Sequence, residues 1–161
     1  MVQFAQENFS LRPGTEDDLQ PILQIEKGSY PYPWSEASFK EELQKQFSNF
    51  WVLTDDKTDS KLIAYAVFWL LFDECHILNI AVHLDWRNLG AGTFLVRKII
   101  QEAMNKGKKK VFLEVRKSNT AAINMYKKLG FFTDHIRKEF YSDKEDACFM
   151  VLYFEQKASP G

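Results

Sequence analysis

The chain has 161 residues, 45% hydrophobic and 15% aromatic with 14 Phe, which is enough apolar side chain for a core and argues for a folded protein rather than a disordered one. Its formal net charge is −1, so no global field draws it toward nucleic acid or an anionic membrane, and recognition of an anion must be local. The longest apolar stretch, Leu62 to Phe72, is too short for a membrane span, and Met1 to Gln6 lacks the charged and apolar regions of a signal peptide. In chain order, Phe9 to Arg12 reads as a first strand stopped by Pro13-Gly14. Thr15 suits an N-cap, with Glu16, Asp17 and Asp18 in the first turn where the helix dipole favours acids. Leu19, Ile22, Leu23 and Ile25-Glu26 continue that helix, with Pro21 unsettling its start. Tyr30-Pro31-Tyr32-Pro33-Trp34 is a rigid aromatic loop, and Ser35 caps a second helix to about Gln46. Strands follow at 49–54 and 61–72, then a central strand from His76 to Val82.

A glycine loop and a helix to about Lys106 come next, then a strand at Val111–Arg116. Asn119 to Leu129 is a helix with Gly130 at its C-terminal cap. The last strands are Phe131–Ile136 and Ala147–Phe154. Two strands followed by a βαβαβ run predict a single α/β domain over residues 1–155, a mixed sheet with helices on both faces, and a disordered tail at 156–161. Cys75 and Cys148 have neither metal nor redox spacing and read as reduced core residues of a cytoplasmic protein. His76, His83 and His135 have no ligand spacing, so no metal is expected. Lys106-Gly107-Lys108-Lys109-Lys110 reads as a solvated turn, because it lacks the interleaved aromatics of a nucleic-acid site. Glu26, Asp73, Glu74 and Asp146 read as solvated carboxylates.

The most informative segment is Arg87-Asn88-Leu89-Gly90-Ala91-Gly92. It lies between the apolar run Ile77–Val82 and a stretch with Leu95, Val96, Ile99, Ile100 and Ala103 at helical spacing. A strand, a glycine loop and a helix N-terminus together make an anion site, where unpaired N–H groups and the helix dipole favour a phosphate or pyrophosphate. Glycine also serves turns and caps for structural reasons alone, and both readings stand at this point. A nucleotide phosphotransferase is disfavoured, because no Gly-Lys-Ser/Thr follows and no Mg²⁺ carboxylate pair is visible.

Several pieces in order carry a family resemblance. They are Ala81-Val82, Arg87-x-x-Gly90-x-Gly92, Leu113-Glu114-Val115-Arg116, and Asn119-x-x-Ala122-x-x-x-Tyr126-x-x-x-Gly130-Phe131. This set resembles the GNAT superfamily of acetyl-CoA-dependent N-acetyltransferases. Pro33-Trp34-Ser35, Asn79-Ile80-Ala81-Val82, Phe140-Tyr141 and Glu145-Asp146-Ala147 make it similar to the RimI-type branch, the ribosomal-protein-alanine N-acetyltransferases. The resemblance covers roughly Phe9 to Leu152. The branch often has proline where this chain has Leu84 and tyrosine where it has Trp86, so the shape of the loop before the anion site departs from the pattern.

The resemblance implies a GNAT fold, its sheet splayed between the central strand and the Val111–Arg116 strand. It implies acetyl-CoA as co-substrate without a metal, direct transfer to a protein N-terminal amine, and neither membrane nor nucleic acid as partner. Ile80, Ala81 and Val82 would pair with pantetheine, the Val82 N–H would face the thioester oxygen, and Arg87, Asn88, Leu89, Gly90, Ala91, Gly92 and Thr93 would take the pyrophosphate. Glu114 is the implied general base and Tyr126 the acid for the leaving thiolate, also touching the cofactor. Transfer from a phenol of pKa about 10 to a thiolate of about 8.5 is uphill by about 1.5 units, so a shifted Tyr126 or a shared proton would help. Asn119 would cap its helix and bond the pantetheine arm. Tyr30, Tyr32, Trp34 and Tyr141 would shape the substrate mouth. A GNAT acting on a small amine or a lysine side chain, and a non-catalytic CoA-binding scaffold, are the alternatives; a scaffold has no chemical need of Glu114 and Tyr126.

Overall fold

The computed structural model describes residues 8–155, so the expectations for Met1–Gln6 and for the tail from 156 onward lie outside the described residues. Among the described residues the order is β1 (Phe9–Pro13), α1 (Leu19–Ser29), α2 (Glu36–Gln44), β2 (Ser48–Asp55), β3 (Lys61–Leu71), β4 (Glu74–Val82), α3 (Ala91–Asn105), β5 (Lys110–Arg116), α4 (Thr120–Lys128), β6 (Phe132–Arg137) and β7 (Ala147–Tyr153). Short 3₁₀ turns at Glu16–Asp18 and Leu84–Trp86 precede α1 and α3. The strands form one mixed sheet in the order β1-β2-β3-β4-β5-β7-β6. The β4–β5 pairing is parallel and its register is short, from Glu74↔Lys110 to Ile77↔Leu113.

The chain divides into two compact units. One reaches to Trp69 and takes in Leu78–Val96; the other comprises Leu70–Ile77 and the chain from Arg97 on. The first unit is built around Leu19, Ile22 and Ile25 of α1, Phe39 of α2, Phe50 and Val52 of β2, Leu62, Tyr65 and Val67 of β3, and Ala81 of β4. Each Leu, Ile, Val or Phe side chain among them contributes about 1.5–3 kcal/mol on burial. Helix α1 is entered through a charged knot: the Thr15 N–H donates to Asp18 Oδ2 at 2.8 Å, and Arg12 pairs with the same carboxylate at 2.8 Å. The Arg12 hydrogen bonds hold the Asp18 carboxyl below the ordinary carboxylate range. Pro21 is tolerated because it lies in the first turn, where N–H groups have no intrahelical acceptor.

In the second unit β5 pairs antiparallel with β7 along its whole length, from Lys110↔Tyr153 to Arg116↔Ala147, and β7 pairs with β6. Along β5, Val111, Leu113 and Val115 are buried while Phe112, Glu114 and Arg116 are less fully covered, the alternation expected of a strand. Helix α4 starts at its N-cap Asn119, whose Oδ1 accepts from the Ala122 N–H at 3.2 Å, and ends at Gly130 with φ 101°. Only glycine takes that left-handed angle without strain, so Gly130 sets the direction in which the chain leaves the helix that carries Tyr126. Cys75 and Cys148 are free thiols and buried.

Candidate functional site

In the first unit, the end of β4 is gripped from the C-terminal end of α1. The Tyr30 phenol donates to the Ile80 carbonyl, and Arg87 donates through Nε to the Val82 carbonyl at 3.0 Å and through Nη2 to Ser29 Oγ at 2.9 Å. Arg87, read from sequence as part of the anion loop, thus turns its guanidinium back to fasten β4 to α1. Asn88 and Gly90 have φ of 62° and 96°, so the loop bends tightly into α3, whose first turn closes with Phe94 N–H on Gly90 O at 3.0 Å. The N–H groups of Ala91, Gly92 and Thr93 then precede any intrahelical acceptor and form the donor end of the helix. The 3₁₀ turn Leu84–Trp86 spans the two positions that depart from the family pattern; Leu84 is exposed and the Trp86 ring packs edge-on against Phe9 at 5.5 Å.

A buried carboxylate in the same unit corrects the sequence reading. Glu26 is 1% exposed rather than solvated. It accepts from the Trp34 N–H at 3.0 Å, from Asn79 Nδ2 at 2.9 Å and from the Tyr65 phenol. One side chain therefore ties α1 to the aromatic loop, to β3 and to β4. Burial is the main reason the Tyr65 phenol lies far above its ordinary range, so it remains a donor. Trp34 also packs at a tilt against Phe39, ring centres 5.2 Å apart, which places it at the edge of the core, whereas Tyr32 is 57% exposed.

In the second unit Glu114 is only 11% exposed, and both its oxygens have partners. Oε2 lies 2.8 Å from His76 Nε2, and Oε1 lies 3.4 Å from Arg137. His76 stacks on Phe112 at 4.3 Å, Phe112 on Phe149 at 5.2 Å, and Phe149 on His135 at 4.6 Å, a row of rings across β4, β5, β7 and β6. Neither His76 nor Arg137 was found from sequence; the signal was present only as the β4–β5 register, which sets His76 opposite Phe112. Tyr126 is 4% exposed, and burial raises its phenol above the ordinary value, with Tyr141 adding to the rise. Burial likewise pushes Tyr141 up to about 12, against the Arg116 guanidinium 4.1 Å over its ring. Arg116 is itself held by Asp143 and Glu145, each at 2.9 Å, and hydrogen bonds from Ser118 and Arg116 keep the Glu145 carboxyl down at about 2. Asn119 does what its capping bond requires. Among the described residues there is no group of three metal-ligating side chains and no helix long and apolar enough to cross a membrane.

This arrangement offers a ready donor end for an anion in one unit and, in the other, an ionisable carboxylate with a buried phenol. The comparisons agree with that chemistry. The Acetyltransferase (GNAT) family matches residues 19–131. The chain is 36% identical over 138 residues, 84% of its length and 90% of the relative's, to the ribosomal protein bS18-alanine N-acetyltransferase of Escherichia coli strain K12. It is 33% identical over 136 residues to the putative protein of the same description from Bacillus subtilis strain 168, covering 83% of this chain and 88% of that one. The crystal structure of the Escherichia coli ribosomal-protein-S18-alanine N-acetyltransferase superposes with a TM-score of 0.84 at 32% identity, over 94% of this chain and 97% of that one.

Proposed function

Since the chain belongs to the GNAT family of acetyltransferases, we propose that it moves acetyl from acetyl-CoA to the N-terminal amine of a protein, with an alanine of ribosomal protein bS18 as acceptor. The likeness to the Escherichia coli enzyme over most of both chains carries this reading. In it, the two units act as one acetyltransferase domain, working in the cytoplasm, where ribosomal proteins are available. The pyrophosphate of acetyl-CoA is held by the amides of Asn88 to Thr93, and its pantetheine runs along Ile80–Val82. The bonds from Tyr30 and Arg87 fix that strand end before the ligand arrives, which lowers the ordering cost of binding. The Val82 N–H faces the thioester oxygen, where negative charge develops.

Glu114 takes the proton of the acceptor ammonium, directly or through a water. The free amine forms its bond to the acetyl carbon, the carbon–sulfur bond breaks, and the second proton lost by the nitrogen goes through water to the departing thiolate. Tyr126 stands by the leaving sulfur, but burial shifts its phenol the wrong way for complete proton transfer. Its role is therefore to stabilise the thiolate by donating a hydrogen bond, and it stays protonated through any neutral or mildly alkaline assay. Tyr126→Phe is expected to lower kcat about 10²-fold with acetyl-CoA affinity nearly unchanged and no new basic limb below about pH 10; wild-type turnover would remove it from the mechanism. Arg87→Ala loses charge-assisted bonds worth about 1.5–3 kcal/mol and loosens the strand end, so the KM for acetyl-CoA should rise about 10-fold while kcat changes less. Initial-rate kinetics with acetyl-CoA varied would show either.

The direct test pairs thiol release from acetyl-CoA with intact-mass analysis of two peptides. One has a free N-terminal alanine and no lysine; the other has a blocked N-terminus and one lysine. Acetylation of the first alone is the expected result. Modification of the lysine peptide alone would shift the reading to a side-chain acetyltransferase. Reaction of neither, with acetyl-CoA still bound, would favour a small-molecule acceptor or a CoA-binding scaffold.

A further inference from the structure

We infer that His76 is a positioning residue for Glu114, and that the two act as one carboxylate–imidazole pair in accepting the proton of the substrate amine. The inference rests on the acetyltransferase reading above and adds a residue to it. Its first ground is geometric: His76 Nε2 lies 2.8 Å from Glu114 Oε2, while Arg137 occupies the other oxygen at 3.4 Å. Both carboxylate oxygens are therefore held in place, with Nε2–H donating to Oε2. The chemistry asks much of the carboxylate, since carboxylates ordinarily titrate near 4.3 and protein α-amines at about 7.7–8.0. A neutral imidazole leaves the negative charge available to the incoming proton, whereas an imidazolium in the same place would compete with it.

The second ground is rigidity. His76 is opposite Phe112 in the parallel register, and its ring lies on the Phe112 ring at 4.3 Å with an interplanar angle of 17°. Phe112 rests in turn on Phe149, so the imidazole plane is set by a stack spanning three strands. The surrounding charges are largely committed elsewhere. From β5, Lys110 pairs with Glu74 of β4 at 3.2 Å, and Arg116 pairs with Asp143 and Glu145. From β6, His135 bonds Asp134 at 2.7 Å, while Arg137 faces Glu114. Tyr141, in the segment after β6, is raised by burial and partly by the Glu114 charge, so it faces the pair as a neutral phenol.

The proton balance is simple. Before reaction a neutral imidazole donates its Nε2–H to the Glu114 carboxylate. One proton leaves the substrate ammonium, giving a neutral amine, and goes to Glu114, which keeps the Nε2–H bond. The pair then holds a carboxylic acid and a neutral imidazole, and it returns that proton to solvent after transfer.

His76→Gln tests this, because glutamine keeps an N–H donor for Glu114 but cannot titrate. The ratio of wild-type to variant kcat/KM is measured on the N-terminal-alanine peptide, so that the substrate's own ammonium cancels. The ratio is expected to rise with pH across the range where imidazoles titrate, about 5.5–7.5, and to level off near 10-fold. A ratio constant at every pH would reduce His76 to a structural role and overturn the inference. A second measurement is independent of activity: the His76 ring is titrated by NMR in wild type and in Glu114→Gln. Coupling requires its titration to move to lower pH when the carboxylate is removed; an unmoved titration overturns the pair. A wild type inactive on every peptide would refute the acceptor assignment, and the ring titration would still decide the pair.

Discussion

Glu114→Gln is expected to lower kcat/KM for an N-terminal-alanine peptide about 10²–10⁴-fold at neutral pH, the range for loss of a general base. Glutamine keeps the side-chain shape and one accepting oxygen for Arg137, so the fold should survive, as a melting temperature within a few degrees of wild type would show. The deficit should shrink as pH rises through about 7.7–8.0, because an α-amine that deprotonates in solution no longer needs a base. Thiol-release rates at a series of pH values provide the check. Equal kcat/KM in wild type and variant at all pH values would mean that Glu114 is not the proton acceptor. This variant and His76→Gln should differ in kind. The first loses most where the amine is protonated; the second loses most where an imidazole would be neutral.

Glu26→Ala should give the largest loss of stability. It strands three donors in the interior, the Tyr65 phenol, the Asn79 amide and the Trp34 N–H, and leaves a cavity at a residue that is 1% exposed. Removing one member of such a buried network costs about 3–5 kcal/mol, which in a chain of this size lowers the melting temperature by about 6–20 °C. Activity at low temperature should fall as well, because the same carboxylate anchors both the aromatic loop through Trp34 and β4 through Asn79. Glu26→Gln should be milder, since one oxygen still accepts. A melting temperature within about 3 °C of wild type in Glu26→Ala would show that water or a shifted neighbour replaces the carboxylate.

The strands and helices were legible because they obey local periods: β5 alternates buried and less fully covered residues, and α1 buries Leu19, Ile22 and Ile25. The ends of elements were less so, since Lys110, Ser48 and Glu74 each extend a strand beyond its apolar run. Glu26 was misread because a carboxylate on an amphipathic helix is usually solvated. Its place one turn after Ile22, inside the apolar stripe, was the available hint. What satisfies it comes from residues far along the chain. The same holds for His76 and Glu114, 38 positions apart, which meet only through a parallel register that no local pattern encodes. Arg87 belongs to the glycine loop, and nothing in the string of residues showed its side chain folding back to Val82 and Ser29. The 3₁₀ turn at Leu84–Trp86 is too short to leave a period.

The buried thiol of Cys75 has a kinetic meaning. Burial pushes it up to about 12, with the Lys108 charge only partly opposing. Near neutrality very little of it then carries the thiolate, the form that attacks a thioester. Cys75 is thus a poor place to park an acetyl group between substrates. On the proposed direct transfer, donor and acceptor are bound together, and double-reciprocal plots are expected to intersect rather than run parallel.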